Sequence, residues 1–267
     1  MGNAQIVGVI PARFASTRLP GKPLLSATGR PLIQHVVEAA RRAQSLERIL
    51  VATDDPRIAE AVTGFGGEAV MTRADHATGT DRVAEVAAGL DGTRLIVNLQ
   101  GDEPEVSAAA LDRVVALLAE DPEAPMATLA TPIRDQATYR DPACVKVVCT
   151  RGGRALYFSR SPIPCYRDGL AQAASSRQPL AYLHLGLYAY RREFLLAIGS
   201  LPRSALESAE KLEQLRVLDA GYPIAVGIVD EPSIGIDTPE DYQRFVERWQ
   251  ARQVANPLEN RAGRSVQ

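Results

Sequence analysis

Three cations lie close together in the chain, directly after its first apolar run. Arg13, Arg18 and Lys22 fall within PARFASTRLPGKPL, residues 11–24, which follows IVGVI. This stretch matches neither GxxxxGK[ST], since Pro23 follows Lys22, nor GxGxxG, which are two common phosphate-binding patterns. A loop with three cations can nevertheless surround a triphosphate, whose negative charge would compensate theirs. A solvated basic loop stiffened by prolines is the alternative, and the density of charge favours phosphate binding.

Two aspartates that follow apolar runs are candidate ligands for a divalent metal ion. Asp102 lies near Gln100 in NLQGDEP, residues 98–104, and Asp237 lies in SIGIDTPEDY, residues 233–242. Mg²⁺ prefers one or two carboxylates together with phosphate oxygens and water. A magnesium site therefore requires both aspartates to meet at one edge of a sheet, facing the cationic loop. The alternatives are a strand-end turn for Asp102 and a helix cap for Asp237.

Five further polar residues are candidates for binding an anionic substrate. His184 and Tyr188 are four residues apart in a predicted strand, so their side chains share one face. A single histidine in a strand is nevertheless more often structural than catalytic. Arg160 ends another predicted strand, before two prolines. Glu213 and Gln214 begin a predicted helix, and their spacing alone favours an ordinary exposed helix face.

The remaining two histidines lie in polar surroundings. His76 belongs to TRADHATGTDR, together with Arg73 and Thr78. This loop either lines a nucleotide base or merely caps the helix predicted to begin at residue 79. His35 falls on the polar face of the first predicted helix, and we expect it to be solvated.

The elements that would position these side chains alternate between strands and helices over the first half of the chain. Apolar β-rich runs predict strands, and apolar residues at helical spacing between them predict helices. The predicted strands cover residues 5–10, 48–54, 67–72 and 94–104, and the predicted helices begin near residues 31, 56 and 79. Such alternation is typical of βαβ units, so we predict an α/β fold with a mostly parallel sheet flanked by helices.

The pattern changes after residue 125, where strand-like segments follow one another without a long helix between them. This change predicts antiparallel hairpins inserted into the α/β fold. Helices are predicted again over 191–199, 207–220 and the segment TPEDYQRFVERWQ. We therefore predict one domain over residues 1–250. The residues from 251 to 267 have little apolar content, and we expect them to be a disordered tail.

Composition limits the class of protein. The 267 residues carry a formal net charge of −2, which argues against a general binder of nucleic acid or membrane surfaces. No stretch approaches the roughly 20 apolar residues that a membrane-spanning helix needs. The three cysteines form no CxxC pair, which favours a reducing compartment. We therefore expect a cytoplasmic protein with no nucleic-acid or membrane partner.

The motifs, taken in order, resemble those of one enzyme family. IPARFASTRLPGKPL, VATDD, MTRADHATGTDR, VNLQGDEP, ALYFSRSPIP, HLGLYAYR, LEQLRVL and GIDTPEDY follow one another along the chain. Together they resemble the 3-deoxy-manno-octulosonate cytidylyltransferases, also called CMP-Kdo synthetases. The resemblance runs from about residue 5 to residue 248, and the combination is specific although no single motif is.

This resemblance implies a Rossmann-like nucleotidyltransferase fold, a magnesium cofactor and a homodimer. It also implies the reaction CTP + 3-deoxy-D-manno-octulosonate (Kdo) → CMP-Kdo + pyrophosphate, which serves lipopolysaccharide biosynthesis. The strand-rich segment over about 130–190 would build the dimer. The site residues that it implies are Arg13, Ser16, Arg18 and Lys22 at the CTP phosphates, Arg73, Thr78 and Gln100 near the cytidine, Asp102 and Asp237 on magnesium, and Gln100, Asp102, Arg160, His184, Tyr188, Glu213 and Gln214 around the sugar acid.

Three positions depart from the family pattern. Leu183 stands where the family usually carries arginine, Lys211 where it carries an apolar residue, and Thr78 where serine is frequent. The first departure bears on the preferred sugar acid, so a sister enzyme for sialic acid or an amino-Kdo analogue stays an alternative. A sugar-1-phosphate nucleotidyltransferase would need a more glycine-rich first loop. A non-catalytic CTP-binding regulator would have no need for two metal-binding aspartates.

Overall fold

Alternating apolar segments form the strands of one sheet in the computed structural model, which describes residues 5–15, 19–167, 179–230 and 234–255. Within these ranges the strands are β1 Gln5–Ala12, β2 Arg48–Thr53, β3 Glu68–Met71, β4 Thr93–Asn98, β5 Met126–Ile133, β6 Lys146–Cys149, β7 Ala155–Ser159, β8 Ala181–Arg191 and β9 Ile224–Ile228. The helices are α1 Leu32–Ala40, α2 Pro56–Gly64, α3 Gly79–Ala88, α4 Ala108–Glu120, α5 Gln136–Arg140, α6 Arg192–Ile198, α7 Ala205–Glu210, α8 Gln214–Asp219 and α9 Pro239–Ala255. A short 3₁₀ helix covers Lys22–Leu24.

The sheet is mostly parallel, which confirms the predicted fold class. Its strand order is β3-β2-β1-β4-β8-β5-β9, and β8 runs antiparallel to both of its neighbours β4 and β5. The other strands in this order run in one direction, so their carboxyl ends meet at one edge. The hairpin of β6 and β7 pairs with β8 outside this order. The predicted antiparallel insertion is therefore confirmed.

Helices cover both faces of the sheet, because successive strand side chains point to opposite sides. Ile10 belongs to an apolar cluster with Ile33 of α1 and Leu111 of α4. Its neighbour Val9 belongs to a second cluster, with Val83 of α3. A sheet buried on both faces needs nearly continuous apolar strands. This requirement explains why runs such as IVGVI are the clearest strand signals in the chain.

The predicted strand over 94–104 ends early, at Asn98. Beyond it the chain turns closely against the end of β1. Leu99 N donates to the main-chain oxygen of Val9 at 3.0 Å. A Cβ at Gly101 would lie 2.7 Å from the main-chain oxygen of Pro11, so only glycine permits this approach. The residues after Gly101 are thereby held beside the loop that follows β1.

The helix predicted over 207–220 is two helices, α7 and α8. Lys211 separates them with a left-handed backbone, at φ +55°. Its amide donates to the main-chain oxygen of Glu207 at 2.8 Å and closes the end of α7. The break separates α7 from α8, which begins at Gln214 with Glu213 as its N-cap residue. Spacing alone could not reveal it, because lysine is an uncommon residue in the left-handed region.

The prediction of a disordered tail from residue 251 is wrong for its first five residues, because α9 continues to Ala255. Glu105, in the loop after Asp102, supplies the physical reason. Arg248 donates to Glu105 Oε2 at 2.6 Å, and Arg252 lies 2.7 Å from its Oε1. These ion pairs give the last turns of α9 partners outside the helix. Residues 256–267 lie outside the described residues.

The prediction that His35 is solvated is also wrong. His35 is buried, its Nε2 lies 2.7 Å from the hydroxyl of Thr28, and its ring meets the edges of Phe245 and Trp249 from α9. Burial lowers the pKa of His35 to about 4. The histidine therefore seats α9 on α1 as a neutral ring. Among the helices described, none combines the length and apolar character required to cross a membrane.

Replacement of Lys211 by glycine should stabilise the protein. The left-handed backbone is strained for a residue with a Cβ and unstrained for glycine, which predicts a gain of about 1 kcal/mol in the free energy of unfolding. Urea denaturation of the wild type and of Lys211→Gly measures the difference. Lys211→Ala is the matched control, because it removes the ammonium and keeps the Cβ. A gain of the same size in Lys211→Ala would contradict the backbone explanation.

Candidate active site

A cleft of about 470 Å³ opens at the carboxyl edge of the sheet, beside the adjacent ends of β1 and β4. β1 lies between β2 and β4 in the sheet. The chain runs from β1 outward to β2 and β3 on one side and then returns to β4 on the other side of β1, so the strand order reverses here. Open α/β sheets bind ligands at such a switch point. The cleft is lined by Pro11, Ala12, Arg13, Ala15, Lys22, Pro23, Gln100, Gly101, Asp102 and Asp237.

Lys22 contacts both predicted metal ligands. Its Nζ donates to Asp102 Oδ2 at 2.7 Å, to the main-chain oxygen of Ile236 at 2.7 Å and to Asp237 Oδ1 at 3.4 Å. The side chain of Lys22 is 14 % exposed, against 29 % for Asp102 and 45 % for Asp237. The structure thus brings together two carboxylates and one of the three predicted cations, as expected from the sequence.

The backbone before Lys22 is fixed by a closed loop. Gly21 has φ +66° and donates from its amide to the main-chain oxygen of Phe14 at 3.2 Å. The guanidinium of Arg57 lies over the Phe14 ring, 3.5 Å from its centroid, in a cation–π contact. Lys22 then begins the 3₁₀ helix, so its Cα is held in place while its long side chain reaches into the cleft.

The amino-terminal end of α9 places Asp237. Thr238 and Asp241 cap this helix, since Asp241 N donates to Thr238 Oγ1 at 3.1 Å and Asp241 accepts from the Asp237 amide at 3.1 Å. The Ile236 amide donates to the main-chain oxygen of Asp102 at 2.9 Å. Thr238, with Asp241, therefore caps the helix, and the alternative of a cap formed by Asp237 is wrong. Asp237 is left to face the cleft.

The other predicted phosphate ligands are only partly described. Arg13 lies on the rim of the cleft and is exposed, with Nη2 3.5 Å from the main-chain oxygen of Ala77. Arg13 therefore approaches the loop that carries Thr78. Ser16 and Arg18 lie outside the described residues, so the structure gives no position for them.

A second polar group surrounds Glu213. Its carboxylate accepts from Thr80 Oγ1 at 2.6 Å and from Thr78 Oγ1 at 3.3 Å. Burial raises the pKa of Glu213, and the two hydroxyl groups partly oppose this shift. Gln214 is also buried, at 5 % exposure. The exposed helix face that spacing favoured for both residues is therefore wrong, because Gln214 is buried and Glu213 is partly buried against the hydroxyls of Thr78 and Thr80.

His184 and Tyr188 face the same buried aromatic region. Their ring centroids are 5.4 Å apart, and the Phe158 ring meets His184 edge-on at 4.9 Å. His184 Nε2 lies 3.0 Å from the hydroxyl of Thr128. Burial lowers the pKa of His184 to about 3 and raises the pKa of Tyr188. His184 is therefore neutral near pH 7 and suits hydrogen bonding rather than charge pairing.

Gln100 links the two polar groups. It lines the cleft beside Asp102, and its amide donates to the main-chain oxygen of Gly186 in β8 at 2.7 Å. Gly186 lies between His184 and Tyr188 in the same strand. The cleft and the aromatic region are therefore connected through one amide side chain.

Arg160 is held at a third position, after β7. Its guanidinium donates to the main-chain oxygens of Glu210 at 2.8 Å and of Pro142 at 3.0 Å. Leu183, the residue that departs from the family pattern, packs against a small apolar cluster that contains Ile133 and Tyr139. Its packing explains why an apolar residue is accommodated at this position.

Arg73 is not brought to the cleft. Its guanidinium lies 3.3 Å from Asp75 and 3.8 Å from Glu85, and it is 69 % exposed. With His76, which contacts Glu85, it lines a separate cleft between α3 and α6. Of the three residues expected near cytidine, Thr78 and Gln100 approach the two polar groups and Arg73 faces elsewhere.

Two residues missed by sequence reasoning support the site from α3. Thr80 supplies the shorter hydrogen bond to Glu213. Arg82 is fully buried, contacts the hydroxyl of Thr72 and lies 3.1 Å from Asp54, so it ties the ends of β2 and β3 to α3. Both belong to TRADHATGTDR, in which only Arg73, His76 and Thr78 were candidates for binding. The sequence shows only a threonine and an arginine just after the helix cap Thr78, and the burial of Arg82 is visible only in the structure.

Comparison with known proteins gives consistent similarity over most of the chain. Residues 7–226 match the model of the cytidylyltransferase family. A 3-deoxy-manno-octulosonate cytidylyltransferase of Syntrophotalea carbinolica is 55 % identical over 90 % of this chain and 96 % of its own length. The enzyme of the same name from Syntrophobacter fumaroxidans is 53 % identical over 91 % of this chain and 96 % of its own length.

Solved structures extend this similarity to the fold. A structure of CMP:2-keto-3-deoxy-manno-octonic acid synthetase complexed with CTP matches with a TM-score of 0.86 and 43 % identity, over 93 % of this chain and 99 % of that one. A 4-diphosphocytidyl-2C-methyl-D-erythritol synthase from Anaerococcus prevotii matches with a TM-score of 0.60 at 15 % identity, over 93 % of this chain and 100 % of that one. This second match is one of fold alone.

The partly buried His184 should make the protein less stable in acid. Its pKa is about 3 in the folded protein, against 6.5 ordinarily, so between these two pH values the unfolded chain binds a proton that the folded protein does not bind. Stability from this group is present above pH 6.5 and falls toward pH 3, by up to about 1.4 kcal/mol per pH unit. In urea denaturation between about pH 7 and pH 4, His184→Asn should show a shallower loss. Equal slopes in the two proteins would contradict the assignment.

Proposed function

Because the chain belongs to the 3-deoxy-manno-octulosonate cytidylyltransferase family, we propose that it transfers CMP from CTP to Kdo and releases pyrophosphate. The relatives that carry this name match nine-tenths of the chain. The structural observation that supports the activity most directly is the meeting of Lys22 with Asp102 and Asp237 in the cleft. Cation and carboxylates together are the groups that a nucleotide triphosphate and its metal ion require.

Magnesium is the cofactor we propose for Asp102 and Asp237. The two carboxylates and the main-chain oxygen of Ile236 already surround one positive charge, the ammonium of Lys22. All three are oxygen donors, the kind that Mg²⁺ prefers. Among the residues described, no three His, Cys, Asp or Glu side chains cluster as metal ligands, so substrate oxygens and water would complete the shell. When bound, the ion would polarise the α-phosphate and lower the pKa of the attacking hydroxyl.

The triphosphate would lie between Arg13 and Lys22. Arginine suits bidentate contact with phosphate oxygens, whereas the ammonium of Lys22 acts as a compact point charge. Both cations line the cleft and would offset the charge on the departing pyrophosphate. We propose the same role for Arg18 and a hydroxyl contact for Ser16, from their positions in the same loop.

The sugar acid would occupy the region between Gln100 and the residues of β8 and α8. Glu213, which is partly buried, and Gln214, which is buried, would supply hydrogen-bonding groups for sugar hydroxyls there. His184 and Tyr188 would contact the sugar from β8. A guanidinium carries five N–H donors, and Arg160 uses two of its nitrogens on main-chain oxygens. Its remaining donors suit a carboxylate, which distinguishes a sugar acid from a neutral sugar.

The nucleotide base would lie near Thr78 and Gln100. Thr78 caps α3 and also donates to Glu213, so the loop before α3 connects the nucleotide and sugar regions. For Arg73, which faces the separate cleft, contact with the base would require its side chain to leave Asp75 and Glu85.

The chemical step is in-line attack by the anomeric hydroxyl of Kdo on the α-phosphorus of CTP. The P–O bond to the incoming hydroxyl forms while the bond to pyrophosphate breaks, and the hydroxyl proton leaves to solvent. Catalysis then depends on positioning and on neutralisation of charge, as in other phosphoryl transfers. The hydrogen bond from Thr80 would hold the Glu213 carboxylate in position to contact the sugar during this step.

Two further expectations from the sequence stay proposals. We propose that the protein forms a homodimer through the strand-rich segment over about 130–190, where β6 and β7 extend beyond the main strand order. We also propose that it works in the cytoplasm, where its product would enter lipopolysaccharide biosynthesis.

Loss of the Asp102 carboxylate should lower turnover by about a hundredfold or more, equivalent to about 3 kcal/mol of transition-state stabilisation. Pyrophosphate release is measured with CTP, with and without Kdo and Mg²⁺, for the wild type and Asp102→Asn. We expect release by the wild type to require both Kdo and Mg²⁺.

Asp91→Asn is the matched control, because the Asp91 side chain is fully exposed and does not line the cleft. Turnover of a folded Asp102→Asn variant close to that of Asp91→Asn would refute the role of Asp102. Equal turnover of the wild type with other sugar acids would refute the choice of Kdo.

A further inference from the structure

We propose that Lys22 is an exchangeable cation, whose ammonium holds the metal position in the nucleotide-free protein and moves to the triphosphate when CTP binds. Binding of the divalent ion at Asp102 and Asp237 would then depend on nucleotide. This inference rests on the function proposed above. It adds that CTP frees the two carboxylates for the divalent ion by drawing the Lys22 ammonium away from them.

The hydrogen-bonding capacity of Lys22 carries the inference. A lysine ammonium has three N–H donors and no acceptor. The structure gives Nζ three oxygen partners, which are Asp102 Oδ2 at 2.7 Å, Ile236 O at 2.7 Å and Asp237 Oδ1 at 3.4 Å. All three donors are therefore used, and Lys22 can bind a phosphate oxygen only by giving up at least one of these partners.

Charge leads to the same conclusion. The two carboxylates that suit a magnesium ion are the two that the ammonium bridges. A divalent ion on the same oxygens would lie within a few ångströms of Nζ and repel it strongly in a cleft that excludes part of the solvent. Lys22 and the metal ion therefore exclude each other at this position. Without either cation, the two carboxylates would repel each other.

The exchange requires only a side-chain movement. The Lys22 amide donates to the main-chain oxygen of Leu19 and its carbonyl accepts from Leu25, both at 3.2 Å, so its backbone is held in the 3₁₀ turn. The flexible four-carbon stem can move Nζ without moving the backbone. Arg13 lines the same cleft, so phosphates bound there would offer Lys22 new acceptors.

The exchange couples two ligands at one site. If CTP removes Lys22 from the carboxylates, CTP raises the affinity for the divalent ion, and the ion raises the affinity for CTP by the same factor. The nucleotide-free protein would then bind divalent ions weakly despite having two well-placed aspartates.

Manganese binding to the nucleotide-free protein tests this directly, with free Mn²⁺ quantified by electron paramagnetic resonance. We expect Lys22→Gln to bind one Mn²⁺ at least tenfold more tightly than the wild type. The double variant Lys22→Gln with Asp102→Asn should lose this site. Lys211→Gln is the matched control, because it also removes one ammonium, and its affinity should equal that of the wild type.

Each contrary result is informative. Equal Mn²⁺ affinity in the wild type and Lys22→Gln would overturn the exchange while leaving a metal site at the aspartates. Absence of Mn²⁺ binding in Lys22→Gln would also overturn it. Neither result would touch the proposed activity, which is decided by Kdo-dependent pyrophosphate release.

A second measurement needs no substitution at the site. The chain has only three lysines, Lys22, Lys146 and Lys211. Lysine labelled at Nζ with ¹⁵N therefore gives three side-chain signals, and the two Gln variants assign them. With CTP added in the presence of EDTA, we expect the Lys22 signal to shift while those of Lys146 and Lys211 stay in place. An unchanged Lys22 signal at saturating CTP would overturn the exchange.

Discussion

Lys22 joins three segments of the chain that are distant in sequence. Its ammonium binds Asp102, 80 residues away, and the main-chain oxygen of Ile236, 214 residues away. The loop after β1, the loop after β4 and the start of α9 therefore meet at one positive charge. Because two carboxylates in a partly buried cleft repel each other, this arrangement requires a cation at its centre. The geometry of the whole site depends on that requirement.

The sheet makes this meeting possible. β1 and β4 are parallel neighbours, so their carboxyl ends deliver Lys22 and Asp102 to the same edge. Gly101 allows the two loops to approach, because any Cβ there would collide with the main-chain oxygen of Pro11. β8 runs the opposite way between β4 and β5, and it thereby places His184 and Tyr188 beside the same edge.

α9 contributes the last acidic group, and its own contacts fix its position. Its amino-terminal end carries Asp237, while Arg248, farther along, binds Glu105 in the loop that follows Asp102. The ion pair between Arg248 and Glu105 thus joins α9, which carries Asp237, to the loop that follows Asp102. The neutral, buried His35 completes this support by packing against Phe245 and Trp249, and it stays neutral because burial disfavours the charged imidazolium.

The sequence by itself determined the order of strands and helices and the mostly parallel sheet, because these follow from local apolar patterning. It also identified Lys22, Asp102 and Asp237 as candidate site residues, because the charge of each side chain is independent of the fold. Only the tertiary structure decided which partners they have. The carbonyl of Ile236 becomes a ligand of Lys22 through long-range contact, and a backbone acceptor leaves no mark in the sequence. A left-handed backbone at Lys211 ends one helix before Glu213, and the chain that follows buries Gln214. Arg73 faces away because nearby carboxylates bind it, which spacing along the chain does not reveal.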